Sequence, residues 1–190
     1  MSLSEPKAKR EPLHRRTIEI VGYKRDDGLF DIEGRLLDRK DVSFPVGGRT
    51  LAPGEAVHDM WLRITVDREL RIVDAAAASD AMPYTGECDR IAPDYAKLIG
   101  LSIGPGYLRK VKELLGGVRG CTHITELAGS LATAAFQTFA GQGLSSRERK
   151  PPQLDGCHAL EAHAPTVARF YPRWYRGTAP LDESGHSENH

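Results

Sequence analysis

A strict alternation over ten residues constrains the fold of this chain more than any other feature. The stretch HDMWLRITVD, residues 58–67, places apolar side chains at every second position. Successive side chains of a strand point to opposite faces, so the pattern predicts a β-strand with one face in the core. The buried face would carry His58, Met60, Leu62, Ile64 and Val66. A histidine therefore heads an otherwise apolar row.

Three further strands are predicted in the N-terminal half, in RTIEIVGY (16–23), LFDIEGRLLDRK (29–40) and ELRIVDAAAA (69–78). Asp27-Gly28 indicates a hairpin turn between the first two. The connections are too short to contain crossover helices, which favours antiparallel pairing. Residues 42–56 are rich in proline and glycine and read as a loop or an irregular edge.

Helical patterns replace the alternation after Pro83. APDYAKLIGL (92–101) and GPGYLRKVKELLGG (104–117) predict two helices, and a longer one begins near Cys121. Its apolar stripe, at helical spacing, consists of Ile124, Leu127, Ala128, Leu131, Ala135 and Phe139. The segment 157–177 predicts a short helix or an irregular stretch. Strands followed by helices predict an α+β fold, with an antiparallel sheet of three to four strands and helices packed on one face.

The length of 190 residues suits one domain, which we place at 15–176, between a flexible basic arm (1–14) and a disordered polar tail (177–190). The basic start lacks the apolar core of a secretory signal or a membrane anchor, so the cytoplasm is the expected compartment. Basic and acidic residues balance at 26 each, and no global field would recruit nucleic acid or an anionic membrane. No phosphate-loop, dinucleotide or serine-hydrolase motif is present.

Aromatic residues leave a protein partner or a homodimer open. Trp61, Phe170, Tyr171, Trp174 and Tyr175 could form a contact surface. The alternative is that the C-terminal aromatic residues pack onto the sheet, and general burial tendencies favour that alternative.

Three cysteines, an odd number, predict reduced thiols rather than a disulfide framework. Cys121 lies at or just before the first turn of the longest helix, where free N–H groups and the helix dipole stabilise a thiolate. His123 lies on the same turn, within reach of a shared ion or proton. The alternative interpretation is that Cys121 is a small buried apolar residue and His123 a solvated one.

A metal site is the first functional hypothesis. His58 needs a polar partner in the core, because an unpaired imidazole there is costly, although a bond to a backbone carbonyl would also satisfy it. The candidate ligands are His58, Cys88, Cys121 and His123, with Cys157 and His158 as alternates. No CxxC pair is present, so the spacing of structural zinc sites is missing. Mixed thiolate and imidazole ligands would select zinc or iron.

An enzyme is the second hypothesis, and a non-catalytic interaction domain is the third. Cys121 would act as a nucleophile with His123 or His58 as its base, or a bound zinc ion would activate water. Glu126 could orient His123 or act as an acid–base group. The acidic residues of the first hairpin predict a turn and an exposed strand face rather than a cation site: Asp26, Asp27, Asp31, Glu33 and Asp38.

Two family resemblances accompany these patterns. The segments YKRDDGLFDIEGRLLDRK, HDMWLRITVD, GECDRIAPDYAKLIGLSIGPG and GCTHITELAGSLATAAFQT resemble the bacterial domain-of-unknown-function family DUF2889, over roughly residues 15–173. That resemblance implies no activity.

The second resemblance is to the NifU-like iron–sulfur cluster scaffolds, carried by HDMWLRITVDRELRIVDAAA and GGVRGCTHITELAGSLATAA. It aligns His58 with the aspartate ligand of the scaffolds, Cys121 with their late cysteine, and Cys88 near their middle cysteine if residues are inserted. Ala56 and Gly120 fall on their first cysteine and late histidine. The resemblance implies the scaffold fold and an iron–sulfur cluster as a cofactor.

Overall fold

A four-stranded antiparallel sheet in the order β1-β2-β5-β6 forms the N-terminal half of the chain. The computed structural model describes residues 3–140, 150–151 and 153–177. The strands are β1 (His14–Lys24), β2 (Phe30–Lys40), β5 (Ala56–Val66) and β6 (Ile72–Ala81). Between β2 and β5, a small hairpin of β3 (Phe44–Val46) and β4 (Arg49–Leu51) occupies the predicted irregular segment. The four predicted strands are therefore confirmed.

Two α-helices follow the sheet in this part of the chain, α1 (Tyr107–Leu115) and α2 (Thr122–Phe139). The predicted helix at 92–101 is a 3₁₀ helix, Asp89–Leu98, which contains Pro93. Proline lacks the N–H that a continuous α-helix needs, so this segment cannot keep the regular α pattern. The α+β class, with strands first and helices second, is confirmed.

The core lies between the sheet and α2, which packs across β1, β2 and β5. The even-numbered residues of β2 and β5 face α2 because strand side chains alternate. Nearly all of these apolar side chains are buried: Phe30, Ile32, Leu36, Met60, Leu62, Ile64 and Val66, against Ile124, Leu127, Ala128, Leu131 and Ala135. The predicted stripe of α2 is thus its buried face, and Phe139 adds a ring contact with Phe30 at 4.4 Å between centroids.

Gly34 is a position where the side chains of α2 lie directly against the backbone of β2. A Cβ at this position would overlap Leu131 Cδ1 and lie 3.2 Å from Leu127 Cδ2. Both leucines are fully buried, so they have little room to move. We expect Gly34→Ala to lower the free energy of unfolding by about 1–3 kcal/mol, as overpacking of a core does.

Urea denaturation measures this effect, with Gly104→Ala as the control because no atom lies within 4 Å of a Cβ there. Equal stability of the two variants would contradict the close packing of α2 on β2.

The opposite face of the sheet is polar. Arg35 forms a two-bond ion pair with Asp59 and lies over the Trp61 ring, 4.9 Å from its centroid. The indole of Trp61 donates to Asp80 at 2.9 Å. Trp61 thus has partners within the sheet itself, and its predicted role in a contact surface stays a prediction.

The described residues of Ala140–His190 belong to a second compact unit of the chain. It contains α3 (Pro165–Phe170) and two 3₁₀ turns, His158–Leu160 and Pro172–Trp174. The predicted single domain at 15–176 and the flexible arm stay predictions, and residues 178–190 of the predicted tail lie outside the described residues. Within the part of the chain that the structure describes, no helix combines the length and apolar character needed to cross a membrane.

Candidate functional site

Asp38 is a buried acid at the end of the apolar row of β2, with 3% of its surface exposed. It lies on the same strand face as Ile32 and Leu36, and the register of the sheet pairs it with His58 on β5. Adjacent strands thus bring a carboxylate and an imidazole side by side at one end of the core. The site is built around this pair.

Two residues of β1 bind the Asp38 carboxylate. Arg16 donates from Nε to Oδ1 and from Nη2 to Oδ2, both at 2.8 Å, and His14 Nε2 lies 3.0 Å from Oδ1. Burial by itself raises the pKa of the Asp38 carboxyl, but the hydrogen bonds and charge of Arg16, with a smaller contribution from His14, outweigh it and lower the pKa to about 2. Asp38 is therefore ionised at neutral pH.

Two histidines approach Asp38 from the side of the core. His58 Nδ1 lies 3.2 Å and His123 Nε2 3.5 Å from Asp38 Oδ2. Their rings are stacked, with centroids 3.8 Å apart and planes 30° apart. The strand β5 supplies one ring and the first turn of α2 the other, so residues 65 positions apart in the sequence meet at one carboxylate.

Both imidazoles are held in the neutral form. Burial lowers the pKa of His58, and a proton on His123 would lower it further. Burial also lowers the pKa of His123, while Asp38 opposes the shift. A neutral imidazole keeps one nitrogen lone pair free, which is what a metal ion or a proton requires.

Cys121 lies on the other side of the His123 ring, with Sγ 3.8 Å from Nδ1. It immediately precedes α2, and its carbonyl accepts the first helical hydrogen bond, from Thr125 at 2.9 Å. Cys121 is thus the N-terminal cap position of α2, as the sequence predicts. The two ring nitrogens of His123 are divided between a carboxylate and a thiol.

Tyr95 fixes the chain around Cys121. Its buried hydroxyl accepts from the Cys121 N–H at 3.0 Å and lies 2.7 Å from Thr125 Oγ1, which donates to the Leu115 carbonyl at 3.2 Å. The same hydroxyl donates to the Cys121 carbonyl at 2.9 Å, so it binds both backbone polar groups of Cys121. The network joins the 3₁₀ helix, the end of α1 and the start of α2.

We expect Tyr95→Phe to lower the free energy of unfolding by about 1–2 kcal/mol, because the Cys121 N–H would lose its buried acceptor. Chemical denaturation measures the change, with Tyr84→Phe as a control since Tyr84 is 59% exposed. A loss of similar size in both variants would contradict a specific role for the Tyr95 hydroxyl.

A cavity of about 540 Å³ opens beside the two histidines. All four first-choice ligand candidates from the sequence line it: His58, Cys88, Cys121 and His123. Its other walls come from the segment after β6 and the turn before α2. A larger cavity, of about 1100 Å³, shares Pro83, Tyr84 and Glu87 with it but is lined by none of these candidates. The chemistry-bearing side chains therefore converge on the smaller cavity.

The remaining candidates lie elsewhere or have other partners. Glu126 Oε2 accepts from Arg16 Nη1 at 2.6 Å, so its hydrogen-bond partner is this arginine rather than the predicted His123. Cys157 and His158 are exposed and belong to the second unit. Their predicted role as alternate ligands stays a prediction.

Asp38 is the residue that the sequence analysis placed wrongly. The prediction of an exposed acidic face is wrong for it, because Asp38 continues the even-numbered row of Ile32, Gly34 and Leu36. Its even-numbered position, two residues after Leu36 on the same strand face, was enough to indicate burial. Asp27 does serve the turn as predicted, since its Oδ1 accepts from the Leu29 N–H at 3.2 Å.

Three side chains of the described part of the chain are arranged so that they could hold one metal ion. One ligand atom each of Asp38, His58 and His123 lies within 4.8 Å of the others. Cys121 faces the opposite nitrogen of His123 and stands outside this group. The arrangement could equally pass a proton along the line of thiol, imidazole and carboxylate.

A family model described as a protein of unknown function (DUF2889) matches residues 14–137, more than half of the chain. No curated protein and no solved structure matches. The resemblance to the NifU-like scaffolds thus gains no support from these comparisons and stays a prediction.

Proposed function

Because the chain belongs to the DUF2889 family of proteins of unknown function, whose membership assigns no activity, we propose a function from the chain's own residues. We infer that it binds one divalent metal ion through Asp38, His58 and His123. The observation that carries the proposal is the convergence of one carboxylate and two imidazoles on a single point, within 4.8 Å of one another.

The two distances from Asp38 to the imidazole nitrogens are compatible with a single ion. Two atoms that each lie ~2.1 Å from a metal are ~3.0 Å apart at a right angle and ~3.4 Å apart at a tetrahedral angle. Asp38 Oδ2 lies 3.2 Å from His58 Nδ1 and 3.5 Å from His123 Nε2. Binding also requires the two stacked rings to turn toward the ion, because imidazole lone pairs lie in the ring planes, and a change of imidazole tautomer.

The charges around the site also suit a cation. Asp38 and Glu126 are two carboxylates on either side of one guanidinium, that of Arg16. With the imidazoles neutral, these two carboxylates and one guanidinium together carry one net negative charge. Arg16 and His14 also hold the Asp38 carboxylate in place, as outer-sphere partners of a metal ligand do.

Nitrogen and oxygen ligands favour zinc or iron(II) over an iron–sulfur cluster, which needs thiolates. Two histidines and one carboxylate leave further coordination positions open, which is typical of catalytic rather than structural metal sites. The ion would supply Lewis acidity beside the cavity. We therefore propose a metal-dependent enzyme, and we place it in the reducing cytoplasm, where its free thiols persist.

The metal affinity is expected to be constant down to about pH 6.5 and to fall below that pH. The ordinary histidine pKa is about 6.5, and the pKa values of His58 and His123 are lowered. Protons therefore begin to compete with the metal only in more acidic solution. Zinc titrations between pH 8.5 and 5.5 measure this. A fall that begins near pH 8.5 would instead indicate a thiolate ligand.

A thiol nucleophile is the second candidate function. The observation that favours it is the division of His123 between Cys121 Sγ at Nδ1 and Asp38 at Nε2. This is the order of nucleophile, base and orienting carboxylate in cysteine hydrolases, and such contacts are often long before substrate binds. His123 Nε2 cannot bind a metal with its lone pair while it carries the proton that it donates to Asp38.

A comparison of the wild type with one variant, Cys121→Ser, distinguishes the two functions. The metal site needs His58 and not the Cys121 thiol, whereas the nucleophile needs Cys121. Zinc binding by metal-stripped protein is measured by calorimetry for the wild type and for Cys121→Ser. Equal, stoichiometric binding supports the metal site. Rapid alkylation of Cys121 in a wild type that binds no zinc would favour the nucleophile. Loss of zinc binding in Cys121→Ser would instead show that the thiolate is a metal ligand and contradict the site proposed here.

A further inference from the structure

We infer that the cavity beside the candidate metal site takes the uncharged, apolar body of a small molecule, with an aromatic or branched aliphatic group. This inference rests on the proposed function, because the same molecule would present its reacting group to the metal. The cavity walls carry the inference through their composition, their charge and their size.

Apolar side chains form much of the wall of the cavity. They are Met60, Pro83, Tyr84, Ile91 and Val118. Met60 is fully buried, whereas Tyr84 is 59% and Val118 fully exposed. Large apolar side chains that remain in contact with water around a concave opening are typical of a ligand site.

Among the described residues, the lining of this cavity offers no cationic side chain that could pair with an anionic ligand. None of the described residues that line it is a lysine or an arginine, and its single carboxylate, Glu87, lies 3.5 Å from Arg90. Arg16 is engaged by Asp38 and Glu126. A phosphate or carboxylate placed away from the metal would therefore lose its hydration without gaining an ion pair. This disfavours nucleotides, phosphosugars and polyacids.

The size of the cavity sets the scale of the ligand. A volume of about 540 Å³ falls within the range of small-molecule sites, roughly 300–1000 Å³. One or two fused rings fit this space and still reach both His58 and His123, which line the same cavity. Tyr84 at the rim would stack on such a ring.

The test compares two ligands that share one ring system. 2-Naphthol is uncharged at pH 7 and 2-naphthoate is an anion. Binding of each is measured by fluorescence titration of metal-stripped full-length protein, so that no metal attracts the carboxylate. We expect 2-naphthol to bind at least about tenfold more tightly, which corresponds to about 1.4 kcal/mol. Equal or tighter binding of 2-naphthoate would overturn the inference.

A charge placed on the cavity wall locates the binding site. Val118→Lys adds a cation at a fully exposed position, and Leu108→Lys is the control because Leu108 is 57% exposed and lines a different cavity. We expect at least fivefold tighter binding of 2-naphthoate by Val118→Lys alone. The same response from both variants would place the ligand elsewhere and overturn the inference.

The outcomes separate this inference from the metal proposal. If wild-type protein binds zinc but neither naphthalene compound, the ligand class is wrong and the metal site stands. If 2-naphthol binds as expected and zinc does not, the cavity takes apolar ligands and the metal proposal fails. If neither zinc nor 2-naphthol binds, both the metal proposal and the ligand inference fail.

Discussion

His58→Ala is expected to weaken zinc binding by at least about 100-fold. Removing an outer-sphere partner of a metal site weakens metal binding by up to about 100-fold. His58 is proposed as a direct ligand, so its removal should weaken binding at least as much. Its Nδ1 lies 3.2 Å from Asp38 Oδ2, and the described residues hold no other imidazole on β5. Calorimetric titration of metal-stripped protein measures the change.

His158→Ala is the matched control, because His158 is exposed and lies in the second unit. It was also an alternate ligand candidate from the sequence, so the same experiment tests that prediction. Circular dichroism and urea denaturation of His58→Ala establish that the fold persists. Wild-type zinc affinity in a folded His58→Ala, or equal losses of zinc affinity in the two variants, would show that His58 is not a ligand.

Asp38→Asn is expected to lower the free energy of unfolding by about 3 kcal/mol, the largest stability change that we predict. Removing one partner of a buried ion pair leaves the other without compensation. Arg16 makes two bonds to the carboxylate, and His14 and His58 lie within 3.2 Å of it. The uncharged amide can satisfy only part of this set.

Urea denaturation at pH 7 measures the loss in Asp38→Asn, and Asp41→Asn is the control. Asp41 pairs with Arg15, whose side chain is 64% exposed, so its removal should cost less than about 1 kcal/mol. A change in Asp38→Asn as small as in the control would contradict the account of Asp38 as the centre of the cluster.

The pH dependence of stability tests the same group independently. The pKa of Asp38 is about 2 in the folded protein and about 3.9 in an unfolded chain. A lowered carboxyl pKa stabilises the folded state above the unfolded value and stops doing so as the pH falls through the folded value. The difference in stability between wild type and Asp38→Asn should therefore shrink between about pH 4 and pH 2.

The sheet was predictable because its pattern is local. Alternation in β2 and β5 fixes which residues face the core, and the short turn at Asp27-Gly28 fixes how β1 and β2 pair. The stripe of α2 is equally local, since residues three and four apart share a helix face. The 3₁₀ helix at Asp89–Leu98 was harder, because its apolar spacing resembles that of an α-helix and only Pro93 argues against it.

The site was predictable only in part because it depends on contacts between distant segments. His58 was recognisable as a polar residue on an apolar row, and Cys121 and His123 as residues at a helix start. That these side chains share one cavity follows from the way α2 crosses β5, which no local pattern contains. Asp38 was missed because its acidic neighbours suggested a solvated strand, although its parity with Leu36 indicated burial.

Cobalt(II) titration of metal-stripped protein, followed by absorbance, tests the central claim most directly, because cobalt replaces zinc or iron and its spectrum reports the ligands. Binding of one ion per chain, without a thiolate charge-transfer band and unchanged in Cys121→Ser, is the result expected for a site made by Asp38, His58 and His123. Absence of binding, or a thiolate band that disappears in Cys121→Ser, would contradict it.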